Sequence, residues 1–299
     1  MRLQFRSFAS SVLALSLAAC GTEDEGGSGE LMLSLSGEEA AQTGFPVPGS
    51  DELVFADGWS VRFEKYLVGI GRVRVAGADG NGAVADDEVV VADLTAGEQE
   101  VFRFEGLGAR RWERFGYDIV APTATARAVG TVDAADVQRM IDGGFNYWIE
   151  GTASRGDVHI TFAWGLAAPT ANDDCVNSAD DSPGVVVRNN GTAAYQITLH
   201  LDHLFYDTLG SHAGVELRFD AIAAVADDGV VAWEDLTAQR LADLRDTSGG
   251  PLLDEQGNRI VYDPESVPLG DANLQAYLLA ASRSQGRFNG EGTCVNRGL

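Results

Sequence analysis

Alternating apolar and polar residues, in short runs separated by glycine-containing turns, fill the first two thirds of the chain. LMLSLSG (31–37), WSVRFEKYLVGIGRVRVAG (59–77) and EVFRFEGL (100–107) are three of these runs. Alternation with a period of two residues puts successive side chains on opposite faces of a β-strand. About ten such runs joined by turns predict a mainly β fold, an antiparallel β-sandwich over residues 31–206.

The pattern changes after Tyr206. VELRFDAIAAV (215–225), WEDLTAQRLADLRD (233–246) and LQAYLLAASR (274–283) carry apolar residues at helical spacing. Residues 207–299 are therefore predicted to form a small C-terminal helical appendix that packs on the sandwich.

Two local structures can be predicted in more detail. DAADVQRMIDGG (133–144) reads as a short helix with Asp133 as its N-cap. VVVRNNGTAAYQITLHLDHLF (185–205) reads as a β-hairpin, because Asn190-Gly191 is typical of a type I′ turn.

The N-terminus predicts export. Two arginines precede an apolar stretch over residues 8–19 that is too short to span a bilayer, so residues 1–19 are interpreted as a signal peptide. Leu17-Ala18-Ala19-Cys20 resembles the bacterial lipobox. That resemblance implies cleavage before Cys20, lipidation of its sulfur and anchoring in the outer membrane. A polar stretch follows the cysteine, so residues 20–30 are predicted to be a flexible tether.

The charge balance disfavours one class of partner. The chain has 45 acidic and 21 basic residues, for a formal net charge of −24. Such a surface repels phosphate backbones, so we expect no nucleic-acid partner. It would attract cations weakly, although solubility or a salty habitat is the simpler explanation of the acidity.

Two cysteines follow the lipobox, Cys175 and Cys294. In an oxidising compartment an even pair favours a disulfide, which would tie the C-terminal tail to the middle of the chain. The alternative is that both thiols serve a metal.

HLDHLFYD (200–207) holds half of the chain's four histidines. On a continuous strand His200 and His203 would point to opposite faces, but a strand that ends near residue 201 would let both rings converge. Asp202, Asp207, His212 and His159 are further candidate ligands, and imidazole with carboxylate suits zinc or copper. The alternative is that these histidines only hydrogen-bond to the backbone at a strand end.

AVADDGVVAWED (224–235) resembles an EF-hand loop in outline. Asp228 and Asp235 take ligand positions and Gly229 the glycine position, but alanines stand where two further oxygen ligands belong. We interpret the segment as a degenerate calcium loop and do not expect calcium binding.

The order of segments over about 60–206 resembles the MbnP-like family of periplasmic and lipoprotein β-sandwiches, found beside copper handling. The matching segments are VRFEKYLVGIGRVRV, VVVADL, RWERFGYDI, GGFNYWIEG, VHITF and YQITLHLDHLF. The resemblance implies a copper site that uses histidine and a modified tryptophan, and His159 and Trp148 lie in comparable segments.

The sequence contains no GxSxG, HExxH, SxxK, P-loop or Rossmann motif, so we expect no enzyme. The favoured hypothesis is an outer-membrane lipoprotein that binds copper or zinc. The alternative is a structural or adhesive surface module without a metal site.

Overall fold

The computed structural model describes residues 26–210 and 214–299. The chain is mainly β, with 42% strand and 18% helix in open, sandwich-like sheets, as the sequence predicted. In chain order the strands are β1 (Ser28–Ser36), β2 (Ser60–Ala76), β3 (Val84–Asp93), β4 (Gln99–Gly108), β5 (Arg111–Trp112), β6 (Arg114–Ile119), β7 (Arg127–Ala128), β8 (Tyr147–Arg155), β9 (Val158–Leu166), β10 (Thr170–Asp173), β11 (Val185–Val186), β12 (Thr192–Leu199), β13 (Val230–Val231), β14 (Gly286–Phe288) and β15 (Val295–Gly298). The α-helices are α1 (Glu38–Thr43), α2 (Ala134–Gly143), α3 (Asp220–Ala223) and α4 (Leu274–Ala281).

Two sheets organise the described part of the chain. The smaller has the order β14-β12-β1-β4, and the larger has the order β13-β9-β8-β2-β6-β10-β15, with β3 paired to β2 and β7 to β3. A separate short pair joins β11 to β5. Most pairs are antiparallel, but β1 runs parallel to β12, so the smaller sheet departs from the expected antiparallel pattern.

The alternating pattern of β1 explains its place between two strands. Leu31, Leu33 and Leu35 are fully buried, and Leu33 lies opposite Tyr195 of β12 and Phe102 of β4. Side chains two residues apart share one face, so the three leucines form a continuous apolar row facing the core. β1 begins at Ser28, so it includes the last three residues of the tether expected over residues 20–30.

The segment after residue 206 contains the short C-terminal helix α4, as predicted, and it also supplies strands that the sequence did not indicate. β13 and β15 extend the larger sheet and β14 extends the smaller one. Trp164 of β9 and Leu278 of α4 belong to one hydrophobic core that draws on both regions. The C-terminal third therefore contributes strands to both sheets. Among the described residues, its longest α-helix is α4, with eight residues.

Tertiary hydrogen bonds replace two of the helices predicted in this segment. Leu217 accepts a hydrogen bond from the backbone of Ala56, and Arg218 donates one to Phe205, so that stretch runs extended until α3 begins. Residues 233–238 and 241–243 form short 3-10 helices. The Gln239 side chain donates to the Ala221 carbonyl oxygen and accepts from the Arg245 N–H. In these two stretches, hydrogen bonds to residues elsewhere in the chain outweigh the helical spacing of the apolar residues.

The predicted hairpin over residues 185–205 is also absent. β11 pairs with β5 and β12 pairs with β1 and β14, so the Asn190-Gly191 turn joins strands of different sheets. Asn190 nonetheless has the positive φ of 54° that such a turn requires. The prediction for α2 is confirmed, because the Asp133 carboxylate accepts the Asp136 N–H as an N-cap.

The predicted disulfide between Cys175 and Cys294 is present, 119 residues apart in sequence. Cys175 follows β10 and Cys294 precedes β15, and these two strands pair antiparallel. The bond therefore fastens the last strand to the larger sheet. Within the described ranges, no helix is both long enough and apolar enough to cross a bilayer.

Candidate metal centre

A change from strand to helix brings His200, Asp202 and His203 together. β12 ends at Leu199, and a 3-10 helix follows over Leu201–Phe205. A 3-10 helix has three residues per turn, so positions three apart lie above one another. The two imidazole rings are therefore neighbours, with centroids 5.4 Å apart.

One ligand atom from each of these three residues lies within 4.8 Å of the others, and all three residues are buried. Zinc–ligand bonds are about 2.0–2.2 Å, so two ligands of one ion lie at most about 4.2 Å apart. A pair 4.8 Å apart must approach by at least about 0.6 Å, which a small side-chain rotation supplies. Among residues 26–210 and 214–299, this is the one group of three such side chains with this spacing.

The orientation of His203 is set by Ser284. Its Nδ1 lies 2.9 Å from the Ser284 carbonyl oxygen and 3.0 Å from the Ser284 Oγ. A carbonyl oxygen can only accept, so Nδ1 carries the proton and the lone pair is on Nε2. Metal-binding histidines commonly have this arrangement, in which the ring nitrogen away from the metal donates to a backbone carbonyl.

His200 has a ring nitrogen without a hydrogen-bond partner. Its Nε2 is buried and makes no hydrogen bond to any described residue. Carboxylates flank the ring, with Glu38 Oε2 3.7 Å from Nε2 and Glu291 Oε2 3.9 Å from Nδ1. Buried polar atoms usually have a partner, so this nitrogen is suited to a ligand that the protein itself does not provide.

Glu38 occupies a strained backbone position beside His200. Its φ is 56°, in the left-handed region that residues with a Cβ rarely adopt. A Cβ on the preceding Gly37 would lie 2.7 Å from Ala41 and 3.2 Å from Leu201, so only glycine permits this close approach. The strain at Glu38 is consistent with a functional constraint.

Electrostatics around Glu38 favour a cation. Burial is the largest cause that raises the pKa of Glu38; His200 opposes it, and the negative charges of Glu291 and Asp202 add to it. The carboxyl groups of Glu38, Asp202 and Glu291 thus lie near two imidazoles, and their negative charges repel one another. A bound cation would relieve that repulsion.

Tyr206 orients Asp202. The Tyr206 hydroxyl donates a short hydrogen bond to Asp202 Oδ2. Burial raises the pKa of Tyr206, and the negative charge of Asp202 raises it further, so the phenol remains a neutral donor. The ring of Tyr206 also packs against that of His203, with centroids 4.8 Å apart.

A cavity of about 870 Å³ opens beside the three candidate ligands. Among the described residues that line it, six are acidic and one is an arginine, Arg287. The acidic residues are Glu38, Asp51, Glu52, Asp202, Glu216 and Glu291. A cavity lined mainly by negative charge concentrates cations near the histidines.

The structure does not bring all predicted ligands to this site. His159 is exposed on β9 and Trp148 lies on β8, both in the larger sheet, whereas β12 belongs to the smaller one. Asp207 is held 2.9 Å from Arg218 and accepts the Glu216 N–H. Its charge is therefore already paired.

Two predicted site residues, Cys20 and His212, lie outside the described residues. Four residues in contact with the candidate ligands were missed by sequence reasoning: Glu38, Glu291, Tyr206 and Ser284. Only Tyr206 lies in the HLDHLFYD stretch, where its spacing of three from His203 could have indicated it. The other three are distant in sequence and carry no local signal.

The degenerate calcium loop has a structural role in the fold. Val230 and Val231 at its centre form β13, which pairs in parallel with Thr161 and Phe162 of β9. Asp235 Oδ2 accepts the Ala232 N–H at 2.9 Å and closes the first turn of a 3-10 helix. Asp228 is an exposed turn residue with a φ of 46°.

The disulfide supports one side of the candidate metal centre. Glu291 and Thr293 line the acidic cavity and lie three residues and one residue before Cys294. The Thr293 carbonyl also accepts a hydrogen bond from Val176, next to Cys175. The disulfide thus restrains the segment that places Glu291 beside His200.

Comparison of the chain with protein-family models, with curated proteins and with solved structures finds no match. The resemblance to the MbnP-like family and to the lipobox therefore stays a prediction. The fold and the site define a mainly β protein with a buried histidine–aspartate cluster in an acidic cavity.

Proposed function

We propose that this protein is a non-enzymatic bacterial outer-membrane lipoprotein that binds a transition-metal ion, copper or zinc. His200, Asp202 and His203 would be the ligands, and Cys20 would carry the lipid anchor. The metal site and the anchor are independent parts of this proposal.

One observation carries the metal site. The cluster is buried, and the hydrogen bond to Ser284 leaves the lone pair of His203 on Nε2, while His200 Nε2 has no hydrogen-bond partner among the described residues. A satisfied structural histidine at position 200 would direct its Nε2 at a protein donor or acceptor within hydrogen-bond distance. Here the chain instead places the carboxylates of Glu38 and Glu291 beside the His200 ring, at 3.7 Å and 3.9 Å.

The donor set favours copper or zinc over calcium. Two neutral imidazoles with one carboxylate match the ligands that zinc and copper prefer, whereas calcium takes six to eight oxygens. Methionine is scarce, with three residues in the whole chain, so a methionine-rich Cu(I) site does not fit. Three protein ligands would leave a coordination position for a fourth group.

The experiment compares metal content and affinity in three proteins covering residues 21–299, purified without a His tag. They are the wild type, His200→Ala/His203→Ala, and the control His159→Ala, which removes an exposed histidine from the other sheet. We expect stoichiometric zinc or copper in the wild type and in the control, and none in the double variant. Circular dichroism establishes that all three are folded.

The absence of metal from the wild type, with flat titrations to millimolar concentration, would contradict the proposal. It would favour the alternative of a surface interaction module. Equal binding by the double variant would place any metal elsewhere in the protein. The anchor is tested separately, by mass spectrometry of the N-terminal peptide and by membrane fractionation of Cys20→Ala.

A further inference from the structure

A second cavity, of about 630 Å³, has the opposite charge to the first. Arg283, Arg287 and Arg297 line it, and no aspartate or glutamate does among the described residues. In a chain with 45 acidic and 21 basic residues, a cavity with this composition is unusual. Its size is within the range of small-molecule sites.

The positive charge there is only partly balanced. Arg297 pairs with Asp173 at 3.0 Å. Arg287 donates to the carbonyl oxygens of Ser284 and Gly286, and neither it nor Arg283 has a carboxylate within 4.0 Å in the described ranges. The Nε–H of Arg283 is buried without a hydrogen-bond partner. Arg283 is therefore the arginine of this cavity with neither a paired carboxylate nor a hydrogen-bond partner for its Nε–H in the described ranges, whereas Arg287 also lines the acidic cavity.

The rest of the lining is mainly apolar. Val267, Pro268 and Ala280 form one part of the wall, and Thr170 and Asn296 add polar groups. Arginine recognises carboxylate and phosphate oxygens through paired N–H groups. Aliphatic side chains beside it would contact a hydrocarbon group.

We propose that this cavity binds an amphiphilic oxyanion, a molecule in which a phosphate or carboxylate group carries an apolar chain. The oxyanion contacts Arg283 and Arg287, and the chain lies along Val267 and Ala280. Arg287 lines both cavities, whereas Arg283, Val267 and Ala280 line only this one, so variants at Arg283 test the site separately from the metal centre.

Isothermal titration at 0.15 M salt tests the site in residues 21–299, which include every described element. The probes are octyl phosphate below its micelle concentration, inorganic phosphate and octanol. We expect octyl phosphate to bind at least roughly tenfold more tightly than inorganic phosphate, because it also buries its chain, and octanol not to bind.

Arg283→Gln removes one guanidinium charge and should weaken octyl phosphate binding by roughly tenfold or more. The matched control is Arg259→Gln, which changes the net charge equally but removes an exposed arginine paired with Asp243. Pro268→Glu, at an exposed position in the wall, adds a negative charge without removing an arginine. It should weaken binding even if Arg283→Gln folds poorly.

Equal affinity for octyl phosphate in the wild type, Pro268→Glu and Arg283→Gln would overturn the proposal, as would equal affinity for octyl phosphate and inorganic phosphate. Vesicles of phosphatidylcholine with one fifth phosphatidic acid distinguish the source of the anion. Co-flotation that Pro268→Glu abolishes supports a lipid headgroup. Binding of monomeric octyl phosphate alone supports a soluble amphiphile.

Discussion

The Nδ1 atom of His203 lies 2.9 Å from the carbonyl oxygen of Ser284, 81 positions later in the chain. Ser284 follows α4, and the same carbonyl oxygen accepts a hydrogen bond from Arg287 at 3.0 Å. One backbone group therefore fixes the tautomer of a candidate metal ligand and also holds an arginine of the second cavity.

Tyr206→Phe should lower metal affinity by roughly 10- to 100-fold, because it removes the hydrogen bond that orients Asp202. Ser284→Ala is the matched control. It removes the hydroxyl near His203 but leaves the carbonyl oxygen that accepts the Nδ1–H. Competition titration with a zinc chelator measures both. Equal losses in the two variants would show that Tyr206 has no specific role.

Glu38→Gly should separate stability from metal affinity. Glycine adopts the φ of 56° without a steric penalty. The free energy of unfolding of Glu38→Gly should therefore be about 1 kcal/mol higher than that of Glu38→Gln. Both variants lose the carboxylate beside His200 and should bind metal several-fold more weakly, an effect that high salt reduces. Denaturant unfolding and metal titration check the two parts. A Glu38→Gly variant no more stable than Glu38→Gln would show that the backbone is not strained there.

Reduction of the disulfide should destabilise the fold. Closing a loop with a sequence separation of 119 contributes about 5 kcal/mol in the chain-entropy model. Cys175→Ser/Cys294→Ser should therefore unfold at a much lower denaturant concentration than the wild type. Adding a reductant to the wild type should have the same effect, and adding it to the variant should have none. We also expect weaker metal binding, because Glu291 is no longer restrained.

The pH dependence of stability should reveal the buried carboxyl of Asp57. Burial raises its pKa, and the backbone N–H groups of Asp220 and Phe219 oppose this in part. A carboxyl with a raised pKa in the folded state costs stability once it ionises. The free energy of unfolding of the wild type, relative to Asp57→Asn, should therefore fall as pH rises from about 4 through the folded-state pKa.

Denaturant unfolding of both proteins between pH 4 and pH 8 measures this difference. Placing an amide at position 57 changes the free energy of unfolding by an amount that does not vary with pH. It therefore does not affect how the difference between the two proteins changes with pH. A difference that is flat with pH, or that grows as pH rises, would contradict the prediction. Asp142→Asn, at an exposed position on α2, is the matched control for replacing a carboxyl by an amide.

The local sequence indicated three of the seven residues that form the candidate site. It marked His200, Asp202 and His203, because these residues are adjacent and their convergence needs only a strand that ends at residue 199. Glu38 and Glu291 could not be found, since they approach His200 from opposite ends of the chain. His159 was expected there because a strand sequence does not reveal which sheet it joins.

The sequence by itself determined the mainly β class, the N-cap of α2 and the cysteine pair. Each follows from short-range alternation, from one side chain at a helix start, or from the number of cysteines available. Only the tertiary structure decided that residues 207–299 supply strands to both sheets and that β12 pairs with β1 rather than with β11. Strand pairing depends on backbone hydrogen bonds between residues far apart in sequence, and local periodicity carries no information about these partners.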